Sequence, residues 1–125
     1  MRFNQPIYLV LAAIATQVQA KCYSGGEAWG PGAQNAAKTA CEKNLSGNYQ
    51  AQGTTSGEKS VCIDVDGKKN EFHIWHIKKG DRTLGVPECE DGLLKEVTGC
   101  SHGGESSYTN WKYKYEMHYC GIDSN

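Results

Sequence analysis

The chain is short of almost everything that a charge-driven nucleic-acid binder uses. Apart from Arg2, the only arginine is Arg82, and the lysines are scattered or at most paired, as in Lys68-Lys69 and Lys78-Lys79. A phosphate-binding surface needs clustered cations to displace counterions, so nucleic acid is not an expected partner. Long apolar runs are missing too. The longest, from about Ile7 to Ala15, is half of the roughly 20 residues that a membrane-spanning helix requires. Stable membrane insertion is therefore not expected. No C-x-x-C or similar close pair occurs, which removes the usual zinc frames, and no metal or other cofactor is expected. There is no G-x-S-x-G elbow, and Ser106-Ser107 has no pattern tying it to a histidine. Internal repeats, low-complexity tracts and linkers are also absent, which leaves one domain.

What is present begins with an export signal. Residues 1–20 carry a positive residue (Arg2), a short apolar run and the ending Val18-Gln19-Ala20. That order fits a cleavable signal peptide with a small-x-small site. Cleavage would leave residues 21–125 as a single secreted domain, with twelve basic and fourteen acidic residues and a net charge of −2. All six cysteines follow the site: Cys22, Cys41, Cys62, Cys89, Cys100 and Cys120. An even count in a short exported chain reads as three disulfides, each contributing about 2–4 kcal/mol. Asn44-Leu45-Ser46 is an N-glycosylation sequon on a segment expected to be exposed. The reading is of an extracellular monomer.

The mature chain alternates strands and helices. A glycine-rich loop follows Cys22-Tyr23-Ser24, with Gly25-Gly26 as one of two paired-glycine loops; Gly103-Gly104 is the other. Ala33, Ala36, Ala37, Ala40 and Cys41 recur at helical spacing, a stripe small enough to lie close on a sheet, and Gly47 is a natural stop. Ser60 to Val65 and Glu71 to Ile77 read as strands joined by an Asp66-Gly67 hairpin. A second helix starts near Pro87, with Cys89, Leu93, Val97 and Cys100 on one face. In the last strand Trp111, Tyr113, Tyr115, Met117 and Tyr119 alternate with polar residues that include His118. The order predicts an α+β fold, a split βαβ sandwich with an antiparallel sheet of about four strands and two helices on one face. In that topology the first strand lies beside the last, which favours a Cys22–Cys120 bridge. Antiparallel helix packing suggests Cys41–Cys89 and leaves Cys62–Cys100.

The chemistry-bearing residues form no complete catalytic set. His73 and His76 fall on opposite faces of a strand and cannot share a metal. His102 sits in a glycine-flanked loop, where function often resides. Glu88, Glu90 and Asp91 suit a helix start, where the dipole favours acids. A guanyl-specific ribonuclease would need a histidine, a glutamate, an arginine and a second histidine in that order. The chain offers His73, Arg82 and His102 but no glutamate between Ile74 and Asp81, so the enzyme reading stands second. Among the aromatics, Trp75 and Trp111 are expected in the core. Trp29 and Tyr108 lie in loops and, with His102, form the candidate binding surface for a protein or glycan.

Three stretches carry a family resemblance: Cys22-Tyr23-Ser24-Gly25-Gly26 with Trp29, the frame around Glu88-Cys89 and Leu93, and Gly99 to Trp111. Together they resemble small cysteine-rich secreted proteins of filamentous ascomycete fungi. More distantly, they are similar to the killer-toxin-like and necrosis-inducing effector group. The resemblance implies an α/β sandwich and a role as a non-enzymatic effector or toxin. Such a protein acts outside the producing cell, in a host apoplast or on a competitor. It carries no functional residue over to a position in this chain. A small secreted hydrolase and a carbohydrate-binding wall protein are the alternatives.

Overall fold

The alanine stripe forms a helix because alanine has the highest helix propensity and its spacing puts one small-residue face toward the core. In the computed structural model, which describes residues 19–25, 28 and 30–117, α1 spans Ala33–Ala40 and buries Ala33, Ala36, Ala37 and Ala40. One wider π turn, Cys41–Leu45, prolongs it and buries Cys41 and Leu45. The second helix, α2, spans Val86–Gly99 with Pro87 in its first turn. Proline is tolerated there because the missing N–H has no intrahelical partner.

The strands are β1 (Gln19–Cys22), β2 (Gly47–Tyr49), β3 (Glu58–Val65), β4 (Lys68–His76), β5 (Arg82–Leu84), β6 (Gly104–Ser107) and β7 (Trp111–Met117). They make a five-stranded sheet ordered β1-β6-β7-β4-β3 and a separate two-stranded β2-β5 sheet. Every neighbouring pair is antiparallel. The β3–β4 hairpin turns at Asp66-Gly67, both at positive φ (52° and 80°), the conformation a two-residue hairpin demands. Both helices share one core with the inner face of the large sheet, centred on Phe72, Ile74, Trp111, Tyr113 and Tyr115.

The expected sheet of four strands is thus corrected to five plus two. The decisive addition is β6. Gly-Glu-Ser-Ser carries no apolar periodicity, so local pattern cannot mark it as a strand. It pairs with β7 on one side and β1 on the other, and β1 therefore does not lie beside the last strand. A split βαβ unit does exist, but its strands are β4 and β6, joined through α2 with β7 inserted between them.

The same insertion rewrites the disulfides. Cys22 is in register with Gly104, only a few residues beyond Cys100, and Cys22 bonds Cys100 (Cα–Cα 5.2 Å). The expected Cys22–Cys120 and Cys62–Cys100 pairs are both excluded by it. Cys41–Cys89 forms as helix packing suggested, joining the end of α1 to the start of α2 (Cα–Cα 5.8 Å). The described residues therefore hold two bridges. Cys62 is also disulfide-bonded, and Cys120 lies outside the described residues. Gly103 and Gly104 permit the crowding at this junction. A Cβ on Gly104 would come within 2.8 Å of the Cys100 sulfur, and one on Gly103 would meet the Tyr115 carbonyl.

Residues 1–18 of the expected signal peptide lie outside the described residues. The expected cleavage point after Ala20 falls inside β1, whose pairs Lys21↔Glu105 and Cys22↔Gly104 lie beyond it. Among the described residues, no helix is long and apolar enough to cross a membrane.

Candidate binding site

Of the three residues expected to form a binding surface, Trp29 lies outside the described residues. The other two do not meet: His102 precedes β6 and Tyr108 follows it. His102 borders an open hollow of about 490 Å³ with Lys21, Tyr23, Ser24 and Glu116. Tyr108 borders a second, of about 310 Å³, between α2 and the β6–β7 turn. His118 also lies outside the described residues, and Asn44 is exposed on the turn that ends the first helical segment.

The hollow at Tyr108 is the better built. Its floor is the β6–β7 hairpin, closed by the Tyr108 N–H donating to the Trp111 carbonyl at 2.8 Å. The Asn110 carbonyl accepts from the Ile77 N–H at 2.9 Å, which ties the turn to the end of β4. One wall is a stripe of α2: Glu88, Asp91, Gly92 and Lys95. Positions separated by three and four residues line up on one side of a helix. The other wall is aromatic. Tyr108 meets Tyr113 edge to face (centroids 5.7 Å), and the buried Trp111 contributes below them.

Gly92 sets the spacing of these walls. A Cβ at that position would collide with the Tyr113 ring, so only glycine leaves room for the ring against the helix. Burial pushes the Tyr113 hydroxyl above its ordinary pKa, with the Glu88 carboxylate adding to the effect, and the phenol stays neutral. Lys95 is held by Asp91 (3.2 Å) and lies over the Tyr108 ring, 5.3 Å from its centroid. The bond to Asp91 raises the Lys95 pKa, so the ammonium is fully charged at neutral pH.

Glu88 and Asp91 read from sequence as helix-start acids. The i,i+4 spacing of Asp91 and Lys95 is a local signal for their ion pair, but no local pattern encodes that Tyr108 and Tyr113 face that stripe.

The outer face of the sheet gathers a different set. His73 stacks on Trp75 (centroids 3.8 Å, planes 8° apart) and its Nε2 lies 2.7 Å from a Glu58 carboxylate oxygen. Lys112 sits over the same indole at 5.0 Å and pairs with Glu105 at 2.9 Å, which accepts from the Tyr23 hydroxyl at 3.1 Å. Trp75, expected in the core, therefore lies half-buried on the outer face of the sheet. Both parities of β4 carry large apolar groups, and Phe72, Ile74 and His76 take the inner side. His76 is buried instead, its Nδ1–H donating to the Gln50 carbonyl at 2.9 Å. The two histidines do fall on opposite faces.

The ribonuclease set is only half assembled. Glu58 supplies a carboxylate to His73, but from β3, upstream in the chain, where a motif search between His73 and Arg82 cannot find it. Arg82 belongs to the two-stranded sheet and His102 to the turn before β6. Among the described residues no cluster of three or more His, Cys, Asp or Glu is arranged to hold a metal ion.

Compared with known proteins, the chain matches no family model and no curated protein.

Proposed function

We propose that this chain is a secreted, non-enzymatic effector or toxin-like protein that binds a target outside the producing cell through the hollow at Tyr108. The observation that carries this reading is the arrangement of the α2 stripe against Tyr108, Tyr113 and Trp111. It is concave, chemically mixed and held on regular elements, the properties expected of a binding pocket. Its support is rigid: the Cys41–Cys89 bridge anchors the start of α2, and Cys22–Cys100 anchors the residue just past its end. Two such bridges favour a protein that works in an oxidising, extracellular setting. The export signal and the resemblance to fungal secreted proteins support the same reading.

The test compares oxidised wild-type protein with Tyr108→Ala, infiltrated into plant tissue and applied to competitor fungal cells. Tyr108 is half-buried, and its loss should abolish the response while leaving the melting temperature within a few degrees. An equal response to both proteins removes the hollow from the mechanism.

A hydrolase is the second reading, favoured by the 2.7 Å Glu58–His73 pair. A carboxylate that orients an imidazole is a recurring acid–base device. RNA turnover by purified protein that disappears in His73→Ala would establish it. A carbohydrate-binding wall protein is the remaining alternative, tested by retention on chitin or glucan.

A further inference from the structure

The hollow at Tyr108 already shows how it treats one kind of chemical group. Lys95 extends from α2 so that its ammonium contacts Asp91 and lies over the face of Tyr108. A carboxylate and a ring face converging on one ammonium combine an ion pair with a cation–π contact. Glu88, about one helical turn before Asp91, also lines the hollow. It has no ion pair or side-chain hydrogen bond among the described residues. The site therefore carries two carboxylates and a single ammonium.

We propose, building on the binding reading, that this hollow receives a cationic side chain, a lysine ammonium or an arginine guanidinium, from a protein partner. The incoming cation is held between Glu88 and the tyrosine rings and competes with Lys95 for Asp91 and the Tyr108 face. Size agrees: about 310 Å³ is at the lower end of ligand pockets, suited to one inserted side chain. The occupied ring face decides against a sugar. Stacking a pyranose on Tyr108 requires that Lys95 leave without a replacement charge for Asp91, whereas a cation replaces it in kind.

The oxidised protein, isotopically labelled, is titrated with hexalysine and hexaarginine, with a neutral hexapeptide and chitotriose as controls. Saturable NMR shifts are expected at Gly92, Lys95, Tyr108, Asn110 and Tyr113 with the cationic peptides alone. Glu88→Gln should weaken binding about two- to fivefold, the range of an exposed ion pair. Lys95→Met should tighten it by a similar factor, because the resident competitor is gone. A purely structural Lys95 could not produce that gain. Shifts confined to the outer-face acids Glu58, Glu71 and Glu116, or weaker binding by Lys95→Met, would overturn the proposal. Chitotriose shifting the same residues in place of the peptides would also overturn it, yet leave the hollow as a binding site. Loss of the binding reading itself would show in the Tyr108→Ala tissue experiment.

Discussion

On the inner face of the five-stranded sheet, Phe72, Ile74, Trp111, Tyr113 and Tyr115 are almost entirely removed from water. The aromatic rings of this set pack with each other and with Tyr49, as in the Tyr49–Trp111 edge contact at 4.9 Å. On the outer face the same strands present charged and polar side chains, and several of these are paired across neighbouring strands. Glu58 meets His73, Lys112 meets Glu105, and Asp64 meets Lys69 at 2.8 Å. Both faces are ordered, but for different reasons. The inner face gains from burial, at roughly 25 cal/mol per Å² of apolar surface. The outer face gains little from each pair in water and presents a polar surface. The hollow at Tyr108 sits where these regimes meet. Its tyrosines belong to the inner layer or its margin, and its carboxylates belong to the solvated side of α2.

Substitutions should separate the two faces by the size of their effect. Phe72→Ala, which empties a fully buried site stacked on Tyr115 (centroids 5.1 Å), should cost about 3–5 kcal/mol in denaturant unfolding. A loss below 1 kcal/mol would mean that the inner face is not the main source of stability. Gly92→Ala should be next, at about 1–3 kcal/mol, since overpacking against Tyr113 outweighs the helix preference of alanine. Its crystal structure should show the Tyr113 ring displaced and the hollow reshaped.

Glu96 gives a smaller effect with a distinctive pH profile. Burial on the inner side of α2 raises its pKa, opposed in part by a hydrogen bond from Ser106. A carboxyl with a raised folded pKa contributes most below its unfolded value, about 4.5. That contribution is lost as pH rises through the folded pKa. Glu96→Gln should therefore flatten the fall in stability above pH 4.5, as followed by thermal melts across pH. An unchanged slope would show that Glu96 keeps its normal titration. The smallest effect belongs to the outer face: Glu58→Gln should change stability by less than about 1 kcal/mol. A larger loss would make the Glu58–His73 pair part of the fold's foundation and erase the contrast between faces.

How far each region could be read in advance follows the same division. β7 is legible because each inward aromatic alternates with a charged or amide residue, so only one register buries the apolar set. β4 is legible as a strand but its buried face is not, because Phe72 and Ile74 compete with Trp75 and Ile77 for the core, and pairing with β7 settles the choice. β6 has no apolar side chain with which to announce itself. Its place between β1 and β7 depends on backbone pairing and on the two glycines that allow the strands and the disulfide to crowd together. The hollow was legible only in fragments: Tyr108 as a loop aromatic, Glu88 and Asp91 as helix acids.

The sequence by itself determined the two helices, the β3–β4 hairpin, the inward stripe of β7 and a disulfide-bearing domain. Each of these rests on periodicity or turn chemistry within a few residues. Only the tertiary structure decided that β6 separates the first strand from the last, that Cys22 bonds Cys100, and that Tyr108 faces a carboxylate stripe. Those outcomes depend on contacts between distant segments, whose free energies are set by which surfaces can be buried together, and no local pattern encodes them.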